Sequence, residues 1–304
     1  MIRNETVFIL GAGASIPYGF PSGASLVEGI IDGCSDETSI FGKMYPQDLR
    51  KKFSEALELS FAPSIDDFLE KRLEFMEVGK AAICSQLIRK EIPSAIARKV
   101  EVDGKGKVKI EGNWYPLLWL FMQAKVDDFA ENKVSFITFN YDRSLEFFFQ
   151  RSLMNYFGID KIRANKIIDK IPIIHVHGLL GEFKDGHPYY RDYSPELTKQ
   201  VIETSAKMIR LFHDKSLDSG EMKEKAKRLF NTAKVVCFLG FGYHPANINR
   251  IKVDEFKYQV KMVGSSYFMG EAEKTAVVSI LDRIKLGASS QDCLEFLRQN
   301  IVPE

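Results

Sequence analysis

The chain has 304 residues, of which 45% are hydrophobic and 27% charged, with 42 basic against 41 acidic residues for a net charge of +1. Those proportions belong to a folded globular protein with a large core and exclude a disordered chain. The near balance of charge excludes a global field that would gather nucleic acid or an anionic membrane. The four cysteines Cys34, Cys84, Cys237 and Cys293 lie far apart, without the paired spacing that clamps zinc, and read as reduced, buried thiols. No stretch approaches the roughly 20 apolar residues of a membrane span, and the apolar run Val7 to Leu10 leads straight into glycines, unlike a signal peptide. The expectation is a cytoplasmic protein.

In chain order, Thr6 to Leu10 predicts a strand covered on both faces, followed by a glycine turn and a helix capped by Ser22 that ends near Gly33. Phe41 to Asn132 interrupts the alternation with helical patterns at Leu49 to Leu59, Ile65 to Val78, Ala81 to Ala97 and Leu117 to Phe129. Within it Val100, Val102, Val108 and Ile110 alternate about Asp103-Gly104-Lys105-Gly106, a hairpin signal. This block, about 41–132, reads as a mostly helical insertion into a single domain spanning 1–304. Strands are expected again at Val134 to Phe139, Ile171 to Val176, Val235 to Leu239 and Val260 to Val263. A second helical segment, about 195–230, breaks at Ser219-Gly220, and helices at Glu271 to Leu281 and Gln291 to Asn300 close the chain. The fold class is therefore α/β: a Rossmann-like, mostly parallel sheet with helices on both faces and a helical inserted subdomain.

Four strand-like runs end in polar or glycine-rich segments: Gly11-Ala12-Gly13-Ala14-Ser15, Asn140-Tyr141-Asp142, His177-Gly178 and Gly240-Phe241-Gly242-Tyr243-His244. In an open parallel sheet these carboxyl ends share a rim, where ligands bind. Glycines let backbone N–H groups approach phosphate, but Ile16 stands where G-x-G-x-x-G has its third glycine, so a ligand-free tight turn is the alternative at Gly11 and Gly13. Asn140 can hold a water or a sugar hydroxyl and Asp142 an amide donor, or either can cap a helix. Strand periodicity places His175 and His177 on one face, which permits two metal ligands; no third is apparent. His175 reads as a core residue and His177 as a general base at the strand end. Gly240 and Gly242 offer a second close approach, or an ordinary turn into a helix begun by Pro245. His187, His213 and His244 sit in polar contexts, the lysines between Lys207 and Arg228 are mixed with acids, and Trp114 and Trp119 read as core.

In this order, G-A-G-A-S with Pro17, Gly19, Phe20 and Pro21, then T-F-N-Y-D, H-V-H-G and F-L-G-F-G, the motifs resemble the sirtuin family, most nearly its bacterial branch of NAD hydrolases in phage defence. The resemblance covers Val7 to about Gly264, without a match across the insertion. It implies that NAD is bound as substrate across the strand ends. Gly11, Ala12, Gly13, Ser15, Pro17, Phe20 and Pro21 would cover the pyrophosphate and nicotinamide ribose, and Asp142 would hold the carboxamide. Asn140 would orient ribose hydroxyls or water, His177 would be the base, and Gly240 and Gly242 would flank the adenosine ribose. Sirtuin deacylases carry an arginine after the loop phenylalanine, a glutamine before the asparagine and a four-cysteine zinc module. Here Pro21-Ser22 follows Phe20, Phe139 precedes Asn140, and the module is missing. The resemblance thus implies metal-free hydrolysis of NAD to nicotinamide and ADP-ribose for antiviral defence, restrained by homo-oligomerisation or a partner such as an ATPase. Its rivals are an NAD or ADP-ribose sensor, a subunit of a defence complex, and a protein deacylase.

Overall fold

The computed structural model describes residues 1–97, 101–102, 108–109, 112–211, 219–251 and 260–301. β1 (Thr6–Leu10) passes through two short 3-10 turns into α1 (Gly23–Ser35), where the Ser22 hydroxyl accepts from Ser25 N–H at 3.1 Å. Before the next strand of the main sheet come α2 (Ile40–Met44), α3 (Gln47–Leu59), α4 (Ile65–Lys71), α5 (Met76–Ile88), the antiparallel pair β2 (Glu101–Val102) and β3 (Val108–Lys109), and α6 (Tyr115–Met122). β4 (Val134–Thr138), α7 (Ser144–Phe157), α8 (Lys161–Ile168), β5 (Ile173–His175), α9 (Lys199–Met208) and α10 (Ser219–Thr232) follow. The chain closes with β6 (Val235–Leu239), α11 (Pro245–Ile251), β7 (Lys261–Gly264), α12 (Glu271–Ile280), β8 (Ile284–Leu286) and α13 (Cys293–Asn300).

Six strands form one sheet in the order β5-β4-β1-β6-β7-β8, and each neighbouring pair is parallel. This is the Rossmann-like order, in which the chain reverses its direction of travel across the sheet between the two central strands, here β1 and β6. Alternation along β1 explains the two-sided core: Phe8 and Leu10 join one apolar cluster, Val7 and Ile9 the other. The first cluster takes in residues from α1 to α9 and α13; the second takes Ala226 and Phe230, Ile248 and Ile251, and Val277 from α10, α11 and α12. All four cysteines are buried free thiols, and burial pushes that of Cys34 up to about 11. No helix among the described residues is long and apolar enough to cross a membrane.

Several expected boundaries move. The pattern from Ala81 to Ala97 stops as an α-helix at Ile88, because Pro93 lacks the N–H to continue it and starts a 3-10 turn instead. The pattern from Ile65 breaks at Arg72, and that from Leu117 ends at Met122. The segment from Pro195 breaks well before Ser219-Gly220: α9 stops at Met208, and Ile209 forms a backbone bridge with Gly178. β8 was not expected, since three residues carry too short an alternation to register as a strand. The expected hairpin pairs Glu101 with Lys109 and Val102 with Val108, and its Asp103-Gly104-Lys105-Gly106 tip lies outside the described residues.

Candidate functional site

The four chemistry-bearing segments leave the sheet at one level. Leu10 is in register with Thr138 on one side and Leu239 on the other, and Thr138 is in register with His175. Gly11, Asn140, His177 and Gly240 therefore follow neighbouring strand ends around the reversal point, the usual ligand crevice of such sheets.

At the centre the two glycine loops touch each other. Gly11 N–H donates to Leu239 O at 3.0 Å, Gly13 N–H donates to Gly240 O at 3.0 Å, and Gly240 N–H donates to Ser265 Oγ at 2.8 Å. Gly240 has φ +55°, and a Cβ there would overlap Ala14 N; a Cβ on Gly13 would stand 2.8 Å from Gly240 Cα. These glycines serve contact between backbones, and the N–H groups of Gly11 and Gly13 are already engaged within the protein. Ala12, Gly13 and Gly240 are half-buried, and Gly242 is exposed with open space where a side chain would go. Pro17 lies in the second 3-10 turn, Phe20 is buried in the first core cluster and Pro21 is half-buried beside α1.

A polar network adjoins the two loops. The Asn140 amide donates from Nδ2 to Gly11 O and to Ser15 Oγ, both at 2.9 Å, so β4's end grips the first loop. Asp142 Oδ1 accepts from Ser144 N–H at 3.0 Å and from the Ser144 hydroxyl, which also meets Tyr115 Oη at 2.7 Å. Burial pushes the Asp142 carboxyl above the usual carboxylate value, against the lowering effect of hydrogen bonds from Ser144 and Ser15. Asn140 and Asp142 are 9% and 7% exposed, so both side chains are buried rather than at the surface.

The histidines separate, contrary to the one-face expectation, because β5 ends at His175 and the chain turns before Gly178. His175 stays on the α7 side, its Nε2 2.6 Å from Glu146 Oε1 and its Nδ1 3.0 Å from Asn140 O. His177 packs edge-on against Phe139, a member of the opposite core cluster, with ring centroids 5.6 Å apart, and also against Tyr141. It is 3% exposed, and Arg250 Nη1 from α11 lies 3.2 and 3.0 Å from its two ring nitrogens. Asp66 Oδ1 of α4 is 3.9 Å from its Nδ1, the Tyr141 hydroxyl donates to that same Asp66 oxygen, and Glu70 of α4 pairs with Arg250. Burial holds the Arg250 guanidinium below its ordinary value despite Asp66 and Asp67 nearby. The segment between β1 and β4 thus covers the candidate base.

That segment also braces the first loop from above. Trp114 Nε1 donates to Ala14 O at 2.8 Å, and Tyr18 stacks on Tyr115 at 3.8 Å while its hydroxyl donates to Asn113 Oδ1. Beside Asp142, Arg143 is fully buried and forks onto Glu91 with bonds of 2.9 and 2.6 Å, while Arg191 pairs with the same carboxylate. Sequence reasoning missed Arg143, Ser144, Glu146, Asp66 and Arg250. Only Arg143 and Ser144 carried a signal, as polar residues continuing directly from a strand-end motif. Among the described residues a groove of about 960 Å³ runs along β5 past His175 and Glu146, apart from the glycine loops and from His177. No protein-family model matches the chain, and no curated protein matches it either.

Proposed function

We propose that this chain binds NAD at the reversal point of the sheet and hydrolyses it to nicotinamide and ADP-ribose. The observation that carries the reading is the shared register of Leu10, Thr138, His175 and Leu239, since it makes neighbours of the strand ends that carry the sirtuin-like motifs, beside the reversal point where ligands of such sheets bind. In the proposed step the ribose–nicotinamide C–N bond breaks and its electron pair leaves with nicotinamide. A water oxygen bonds the same ribose carbon and loses a proton to His177, which releases it to solvent. Asn140 would align the ribose or the water; general-base assistance of this kind contributes roughly 100-fold to 10,000-fold. A role in antiphage defence, a cytoplasmic location, a homo-oligomer and a partner such as an ATPase are extensions of the proposal that rest on motif order alone.

The burial of His177 beneath Arg250 and Asp66 favours a second reading, a protein that binds NAD or ADP-ribose without turnover in this closed arrangement. The two are separated by incubating purified protein with NAD and following nicotinamide release for wild type, Asn140→Ala and His177→Ala, with folding and NAD affinity measured alongside. Release that both substitutions abolish while folding persists supports hydrolysis. Binding with no release in wild type supports the sensor, and no binding at all rejects both.

A further inference from the structure

Among the described residues, the groove along β5 holds two buried polar atoms with no hydrogen-bond partner, Glu146 Oε2 and Arg210 Nε. Glu146 is 8% exposed and fixed by its other oxygen, which His175 Nε2 holds at 2.6 Å. Arg210 is anchored by its backbone, whose N–H donates to His177 O at 2.8 Å. An ionised carboxylate only accepts hydrogen bonds and a guanidinium only donates them, so these two atoms call for a ligand bearing both a donor and an acceptor. Neither atom is compensated as it stands, a pattern that marks binding sites rather than cores.

The rest of the lining narrows the class. Five cationic side chains face three acidic ones, Glu146, Asp169 and Glu182, with Lys184 and Arg228 exposed at the rim. Ile173, Phe183 and Leu229 add a partly buried apolar wall, and about 960 Å³ is at the upper end of small-molecule sites. A bare anion would satisfy Arg210 and leave Glu146 without a partner; a neutral polyol could reach both atoms but would leave Arg210 and the cationic rim without a counter-charge. We propose that the groove is a binding site for a phosphorylated sugar of nucleoside-monophosphate size. Its hydroxyls donate to Glu146 Oε2, its phosphate accepts from Arg210 Nε–H and the cationic rim, and its base lies on the apolar wall. This site is separate from the NAD crevice and does not require the hydrolase reading. It touches that crevice through His175, which bonds the Asn140 carbonyl at 3.0 Å.

Calorimetric titration of AMP, ribose 5-phosphate and inorganic phosphate into the whole chain tests it. AMP and ribose 5-phosphate should bind, with inorganic phosphate at least about tenfold weaker, since charge-assisted bonds at this strength are worth about a decade each. Glu146→Gln and Arg210→Met should each weaken AMP about tenfold. The exposed double variant Lys184→Ala/Arg228→Ala, which removes no core contact, should weaken it several-fold without disturbing the fold. Equal affinity for inorganic phosphate and AMP overturns the proposal, as does AMP binding that all folded variants leave unchanged. Nicotinamide release has no bearing on either outcome, so this inference and the NAD reading fail separately.

Discussion

Glu146 Oε1 and His175 Nε2 meet at 2.6 Å under α7, and the opposite ring nitrogen faces the carbonyl of Asn140. Burial alone would lower the imidazole pKa, but the Glu146 charge and hydrogen bond, with the Asn140 carbonyl and the Asp142 charge, together outweigh it and hold His175 above its ordinary 6.5. A basic group raised on folding contributes stability that is fully present below its unfolded value and is lost as pH rises through its folded value. Urea unfolding of wild type and Glu146→Gln between about pH 5 and pH 9 should show the wild-type advantage largest at the acid end and shrinking toward alkali. A difference independent of pH would remove the ion pair from the account.

The contact between the glycine loops predicts opposite fates for two neighbouring glycines. Gly240→Ala meets both a positive φ and the backbone of Ala14, and should cost at least about 2 kcal/mol in chemical denaturation. Gly242→Ala has open space and should stay within about 0.5 kcal/mol of wild type. Equal costs at the two positions would mean that the loops do not touch in solution.

Arg250 closes His177 off. Arg250→Ala should therefore raise the rate at which diethyl pyrocarbonate modifies His177, measured by peptide mass mapping against exposed His244 as an internal standard. An unchanged rate would show that α4, rather than the guanidinium, controls access.

Glu91 neutralises two arginines inside the protein, Arg143 with no exposure and Arg191 nearly buried. Burial already lowers the Arg191 guanidinium from its ordinary value, with Arg143 adding to that and Glu91 opposing it. Removing a partner from such a network typically costs about 3–5 kcal/mol, so Glu91→Gln should shift the denaturation midpoint strongly. Glu74, an exposed carboxylate paired with Arg72, should be replaceable by Gln with little effect.

The central strands were legible because Val7 to Leu10 and Val235 to Leu239 are unbroken apolar runs and Val134 to Ile137 is interrupted only by Ser135, the pattern of strands buried on both faces. The rim was legible for the same reason: a polar motif directly after such a run must emerge at the carboxyl edge. β8 was not, since Ile284-Lys285-Leu286 is defined by pairing with β7 and not by any local period. The partners of His177 were hidden too. Asp66 and Arg250 lie far from it in the chain, and Asp66, in the charge-rich α4, and Arg250, in the polar last turn of α11, resemble ordinary solvated residues. The role of Gly11 and Gly13 changed in emphasis, because a G-x-G reads alike whether phosphate or another backbone comes close.

Trp114 Nε1 fastened to Ala14 O has a practical consequence for anyone seeking a smaller version of this protein. The residues between α1 and β4 look dispensable on paper, yet excising them would strip the ceiling from the first loop and strand Arg143 without its counter-ion. A trimmed chain would need a substitute indole and a substitute carboxylate before it could hold its shape.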